Sequence, residues 1–182
     1  MKTPRLDRRN AAVVVIDIQE RLVPVMWNFA PVEKYAKAMI QAGRELGLPV
    51  LCTEQYPKGL GATLPSIREL LPSPPLVKMH FSCGADPGFT KALADTGRRQ
   101  VVVVGMESHV CVFQTCRDLV DQGYEVFLCA DAVTSRMEEH RRVALEQMRA
   151  FGVVITSAET VIFDLLREAG TPEFKRVSPF VK

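Results

Sequence analysis

Two runs of β-branched residues, "AAVVVID" from Ala11 to Asp17 and "RQVVVVG" from Arg99 to Gly105, constrain this chain more than any other feature. Neither alternates with polar residues. A strand made from such a run has no face to give to water and must be covered on both sides. "LPVLCTE", "LVKMH", "YEVFLCAD" and "VVITSAE" supply four further strands. Between them the apolar period changes from two to about 3.6. From Pro31 to Leu46, the residues Val32, Tyr35, Ala36, Met39, Ile40, Gly43 and Leu46 share one helical face, with Pro31 in the first turn. "PGFTKALADTG" reads as a short helix ended by glycine, and His109–Gln122 as a longer one. Met137–Phe151 is a helix with Ala144, Leu145 and Met148 inward. "TVIFDLLREAG" is another, with Val161, Ile162, Leu165, Leu166 and Ala169 on one face. "PKGLGATLPSIRELLPSPP" is a Pro/Gly-rich loop with a short helix near Ser66–Leu71, and "TPEFKRVSPFVK" a loop or docking segment. Six strands alternating with helices predict an α/β domain over residues 1–182, built on a six-stranded, mostly parallel sheet of the Rossmann-like kind. Ligands of such sheets bind beyond the carboxyl ends of the strands, where strand order reverses.

Composition removes several classes of function. With 23 basic and 21 acidic residues, the net charge of +2 is too balanced for a nucleic-acid or membrane-surface binder. No apolar run approaches the length of a bilayer span. "MKTPRLDRRN" has no apolar core of a signal peptide, and five cysteines without CxxC spacing read as reduced thiols. The expectation is a cytoplasmic protein with a small-molecule substrate and neither nucleic acid nor membrane as partner.

The strand ends carry chemistry. The first strand ends at Asp17, followed by Gln19; the third ends near Lys78; the fourth ends at Gly105 and leads into Cys111. A cysteine in the first turn of a helix feels the positive end of the helix dipole, and a nearby ammonium adds to it. Both favour the thiolate. A carboxylate beside the thiol can accept its proton, with Lys78 holding that carboxylate ionised. Each residue also has an ordinary reading: Cys111 as a small buried hydrophobe, Asp17 as a turn cap, Lys78 as a surface charge on an apolar stem.

"VVVIDIQERLVP", "TEQYPKGLG", "LVKMHFSC", "VVVVGMESHVCVFQTCRDLVDQGYEVFLCADAVTSR" and "TSAETVIFDLLREAG" together resemble the isochorismatase-like cysteine hydrolases, nearest the isochorismatase domain-containing branch. The resemblance implies a three-layer α/β/α fold, a homo-oligomer and a catalytic triad at Asp17, Lys78 and Cys111. It also implies a cis peptide between Met106 and Glu107, with the amides of Glu107 and Cys111 forming an oxyanion hole. Within "MESHV", Ser108 reads as a helix cap. Nicotinamidases of this superfamily carry an Asp and two His as metal ligands after the second strand. "CTEQYPKGLGATLP" has no histidine there, so neither a metal nor another cofactor is expected. True isochorismatases typically lack the nucleophilic cysteine that this chain has. The resemblance together with Cys111 therefore points to a hydrolase of small amide-like C–N bonds, acting through a thioester.

Gln19, Leu22, Trp27, Tyr56, Phe81 and Phe113 are candidate substrate-binding residues, since they fall near the strand ends or in the loops above them. His109 reads as a packing or hydrogen-bonding residue of the elbow. Cys52, Cys83, Cys116 and Cys129 read as structural. Two other readings stand beside the enzyme: a catalytically idle binding protein of the same fold, and a redox sensor pairing Cys111 with Cys116. Five residues apart on a helix, those two side chains face differently, which disfavours the sensor.

Overall fold

Strict alternation of buried side chains gives the sheet its two faces. In the computed structural model, which describes residues 5–182, β1 (Ala11–Ile16) sends Val13 and Val15 to one face and Val14 and Ile16 to the other. β4 (Gln100–Met106) divides Val102 and Val104 from Val101 and Val103 in the same way. The other strands are β2 (Val50–Gln55), β3 (Leu76–Lys78), β5 (Glu125–Thr134) and β6 (Val154–Thr156). Among the described residues they form one sheet in the order β3-β2-β1-β4-β5-β6, with every pairing parallel.

Helices cover both faces, giving three layers. One core holds Met39 and Ile40 of α1 (Phe29–Glu45). A four-residue helix α2 (Pro57–Leu60) follows β2, and Ile67 of α3 (Pro65–Arg68) joins that same core. The opposite core holds Phe89 and Leu93 of α4 (Pro87–Asp95), Cys116 and Leu119 of α5 (Phe113–Asp121), and Ala144 and Met148 of α6 (Glu138–Ala150). Val161, Ile162 and Leu165 of α7 (Ala158–Leu166) and Val177 of α8 (Pro172–Val177) return to the first core. Strand order reverses between β1 and β4, so a crevice opens beyond their carboxyl ends.

Several boundaries differ from the sequence reading, each for a local reason. "SAE" is not strand: the Ser157 hydroxyl accepts from the Thr160 amide at 3.1 Å and starts α7 at Ala158. β5 continues past Asp131 to Thr134, pairing with the end of β4 through a register shift. The helix expected over His109–Gln122 opens with a π turn at Ser108–Val112 before α5 begins. The tail is helical, capped by Thr171 and docked on α1, where Arg176 Nε lies 2.9 Å from Glu45 Oε2.

Gly105 is required where β1 and β4 meet the crevice. Its φ is 125°, and a Cβ there would lie 2.1 Å from the carbonyl oxygen of Ile16. Backbone on both sides cannot yield without breaking the ladder. Gly105→Ala should therefore lower stability by at least ~2 kcal/mol, since strain and overpacking each cost about 1–3 kcal/mol. The measurement is the shift in urea midpoint against wild type; a shift too small to resolve would contradict the crowding described.

Candidate active site

Three neighbouring strands build the centre of the crevice. β1–β2 register pairs Ile16 with Thr53, and β2–β3 register pairs Gln55 with Lys78. Asp17 leaves β1 with φ 50°, a left-handed conformation that aspartate adopts more readily than most residues. Its amide donates to the Thr53 carbonyl at 3.2 Å. Its Oδ1 accepts from Thr53 Oγ1 at 2.7 Å, and its Oδ2 lies 2.7 Å from Lys78 Nζ. Lys78 also donates to the carbonyls of Phe81 at 2.9 Å and His80 at 3.2 Å, so all three ammonium protons have acceptors. Neither side chain of the ion pair is exposed. Burial by itself would lower the Lys78 pKa, but the Asp17 charge, with Cys83 and Cys111, more than offsets it and holds the ammonium above its ordinary range.

Cys111 sits in the π turn, 7% exposed, facing this pair. Burial pushes its thiol well above the ordinary range. The nearby Asp17 carboxylate raises it further, and Lys78 pulls the other way. The two influences read from sequence as favouring the thiolate are outweighed here. A single irregular turn and an ammonium already neutralised by Asp17 do not outweigh desolvation beside a carboxylate. The resting arrangement is a protonated thiol against an acceptor.

The turn leading to Cys111 is clamped from the side. The peptide between Met106 and Glu107 is cis, as the resemblance implied. Glu107 Oε2 accepts from Arg136 Nε at 2.9 Å and from the Arg136 amide at 3.3 Å. His109 Nδ1 lies 2.9 Å from Ser135 Oγ, and its ring centroid is 4.6 Å from that of His140. Burial lowers the His109 pKa. Ser108 does not cap: its hydroxyl is buried without a partner among the described residues, and Glu107 occupies the position before the turn.

The expected substrate-binding residues divide. Gln19 is fully buried and its carboxamide is spent on the backbone. Nε2 donates to the carbonyls of Gly61 at 2.7 Å and Gln55 at 3.1 Å, and Oε1 accepts from the Gln55 amide at 2.9 Å. It ties the loop after β2 to β1 rather than facing a ligand. Leu22 packs on the α1-side core. Phe113 turns to the far core, edge-on to Phe151 at 5.6 Å and under Arg117. Trp27 lines a small cleft of about 210 Å³ with Thr134 and Arg141, whose walls include none of Asp17, Lys78 or Cys111. Tyr56 and Phe81 flank Lys78 and are 45% and 53% exposed. The Tyr56 amide donates to the Lys78 carbonyl at 3.0 Å, and its ring lies where a Cβ on Gly59 would fall.

Thr53 belongs to this cluster and was not singled out from sequence; Cys83, read as structural but noted for its closeness to Lys78 in the chain, belongs to it too. Cys83 Sγ lies 3.7 Å from Thr53 Oγ1, and the Cys83 amide donates to Thr115 Oγ1 at 2.9 Å. The available signal for Thr53 was weak: a threonine one strand away from the acid, in a segment read only as a strand. A larger cleft of about 1100 Å³ lies at the opposite, amino-terminal edge of the sheet. Charges of both signs line it, among them Arg8, Arg167, Glu125 and Glu173.

Two stability outcomes follow. Lys78→Met leaves the Asp17 carboxylate buried without its cation, a loss worth about 3–5 kcal/mol in comparable pairs. Adding Asp17→Asn should recover part of it, read by denaturant unfolding of the single and double variants. Burial chiefly raises the thiols of Cys83 to about 11 and Cys52 to about 12, against 9.0 for an ordinary thiol. Above pH 9 the unfolded chain releases protons that the folded chain keeps. This contribution is therefore whole below pH 9 and is lost as pH rises through 11 to 12. Unfolding midpoints should fall between pH 9 and 11, and fall less in Cys83→Ala.

Comparison with known proteins places the arrangement in a family. Residues 11–159 match the isochorismatase domain. A secreted isochorismatase effector of Phytophthora sojae (strain P6497) is 38% identical over 184 residues, covering 98% of this chain and 87% of that protein. Isochorismatase domain-containing protein 1 of Danio rerio is 38% identical over 167 residues, covering 91% of this chain, while this chain spans 59% of that relative's length. Among solved structures, the MAR1 ribonuclease of Caenorhabditis elegans superimposes with a TM-score of 0.92 at 36% identity, covering 98% of this chain and 92% of the other. No helix among the described residues is long and apolar enough to cross a membrane. The chain belongs to the isochorismatase family and has the fold of that family's hydrolases.

Proposed function

We propose that the protein is a cysteine hydrolase of small amide-like substrates, with Cys111 as nucleophile, Asp17 as proton carrier and Lys78 as the cation that orients Asp17. The observation that carries this reading is the fully buried Lys78–Asp17 ion pair beyond the strand ends, with the buried sulfur of Cys111 in its electrostatic reach. A thiol that keeps its proton at rest needs a base within reach, and Asp17 is placed to serve.

In the first half-reaction, Asp17 takes the thiol proton as the sulfur attacks the substrate carbonyl carbon. The amides of Glu107 and Cys111 hold the oxygen that becomes negative. The C–N bond then breaks, the leaving nitrogen takes the proton from Asp17, and a thioester remains on Cys111. In the second, Asp17 takes a proton from water as the oxygen adds to the thioester. The C–S bond breaks and the sulfur recovers that proton. Each proton leaves and returns through one carboxylate, so no other acid is required. Tyr56 and Phe81, exposed beside Lys78, are the side chains best placed to meet an incoming substrate.

The C. elegans relative is described as a ribonuclease. For this chain, the cation of the site is spent on Asp17 and two carbonyls, which leaves it poorly placed to neutralise a phosphodiester. Acyl chemistry is favoured accordingly. The test is a panel of small amides and ureides, with single-stranded RNA alongside, offered to wild type and Cys111→Ala. At least one amide should be hydrolysed, with a rate about 10³-fold or more lower in the variant. Quenched wild type should carry an acyl mass on the Cys111 peptide. Equal turnover by the two proteins, or cleavage of RNA alone, would overturn the assignment.

A further inference from the structure

We propose that Thr53 is a positioning residue for the Asp17 base, its hydroxyl fixing the carboxylate in one orientation between Lys78 and Cys111. This rests on Asp17 acting as the proton acceptor described above. Thr53 lies on β2, between the two strands that carry the pair, and is fully buried. It meets Asp17 twice. Its carbonyl accepts from the Asp17 amide at 3.2 Å, and its hydroxyl contacts Oδ1 at 2.7 Å.

The direction of that second bond is fixed by chemistry. A hydroxyl has one proton and an ionised carboxylate has none, so the proton of Thr53 goes to Asp17. The hydroxyl's lone pairs are then open to Cys83 Sγ at 3.7 Å, a buried thiol that keeps its proton and can donate. Thr115 holds Cys83 by its amide at 2.9 Å. The chain thus runs from Cys83 through Thr53 to Asp17 in one sense only. Lys78 alone would anchor one oxygen and leave the carboxylate plane free to turn; Thr53 on the other oxygen removes that freedom. A valine would fill the same volume and suit the buried strand, so packing does not call for the hydroxyl.

The test uses iodoacetamide on the intact protein at about pH 7, with alkylation of Cys111 mapped by mass. Thr53→Val and Thr53→Ala should slow it by about tenfold, the size expected for one hydrogen bond to a charged group. Thr53→Ser should return the rate to within about twofold of wild type. A purely structural role would alter unfolding without changing the alkylation rate. A folded Thr53→Val or Thr53→Ala alkylated at the wild-type rate overturns the inference, even if amides are hydrolysed through Cys111. If no amide is hydrolysed and the alkylation rate still follows Thr53, the hydrolase reading falls and this inference stands.

Discussion

The ion pair between Asp17 and Lys78 organises the rest of this molecule. Withdrawing two charges from water costs several kcal/mol for each ion, and attraction between them offsets that only when the remaining hydrogen-bonding capacity is met as well. Here it is met. The ammonium has a carboxylate oxygen and the carbonyls of His80 and Phe81, and the carboxylate has Thr53 on its other oxygen. β3 is only three residues long and lies at the edge of the sheet, yet its last residue is Lys78. Its pairing with β2, and the bond from the Tyr56 amide to the Lys78 carbonyl, bring the lysine over Asp17.

That pair also sets the state of the sulfur beside it. A free ammonium next to a thiol would draw out its proton. An ammonium neutralised by a carboxylate does so only weakly, and burial dominates, so Cys111 keeps its proton. If Cys111 acts as the nucleophile proposed above, its activation depends on the carboxylate's direction as much as on its charge. The turn carrying the sulfur is held with similar care from the other side of the crevice. The Glu107–Arg136 and His109–Ser135 contacts fasten it to the segment after β5.

Much of the fold was legible because burial on both faces leaves a plain mark in a sequence. "AAVVVID" and "RQVVVVG" could hardly be anything but inner strands, and they are β1 and β4. The ends of β1, β3 and β4 pointed to Asp17, Lys78 and Cys111. Polar side chains misled where one residue type serves several purposes. Ser157 caps a helix that sequence read as strand, while Ser108, read as a cap, has no partner among the described residues. Gln19 resembled a ligand contact because it follows the acid by two residues, yet its amide group is saturated by backbone from a loop some forty residues on. Phe113, two residues past the cysteine, is half-buried and packs edge-on against Phe151.

By itself the sequence determined a parallel sheet covered on both sides and the three strand ends that lead to a carboxylate, an ammonium and a thiol, since periodicity and strand length are local properties. Only the tertiary structure decided that Thr53 and Cys83 stand behind the acid, that Gln19 and Phe113 belong to the framework, and that the thiol rests protonated. Each of these depends on which side chains meet across strands distant in sequence and on how much water is excluded where they meet. No local pattern encodes either quantity.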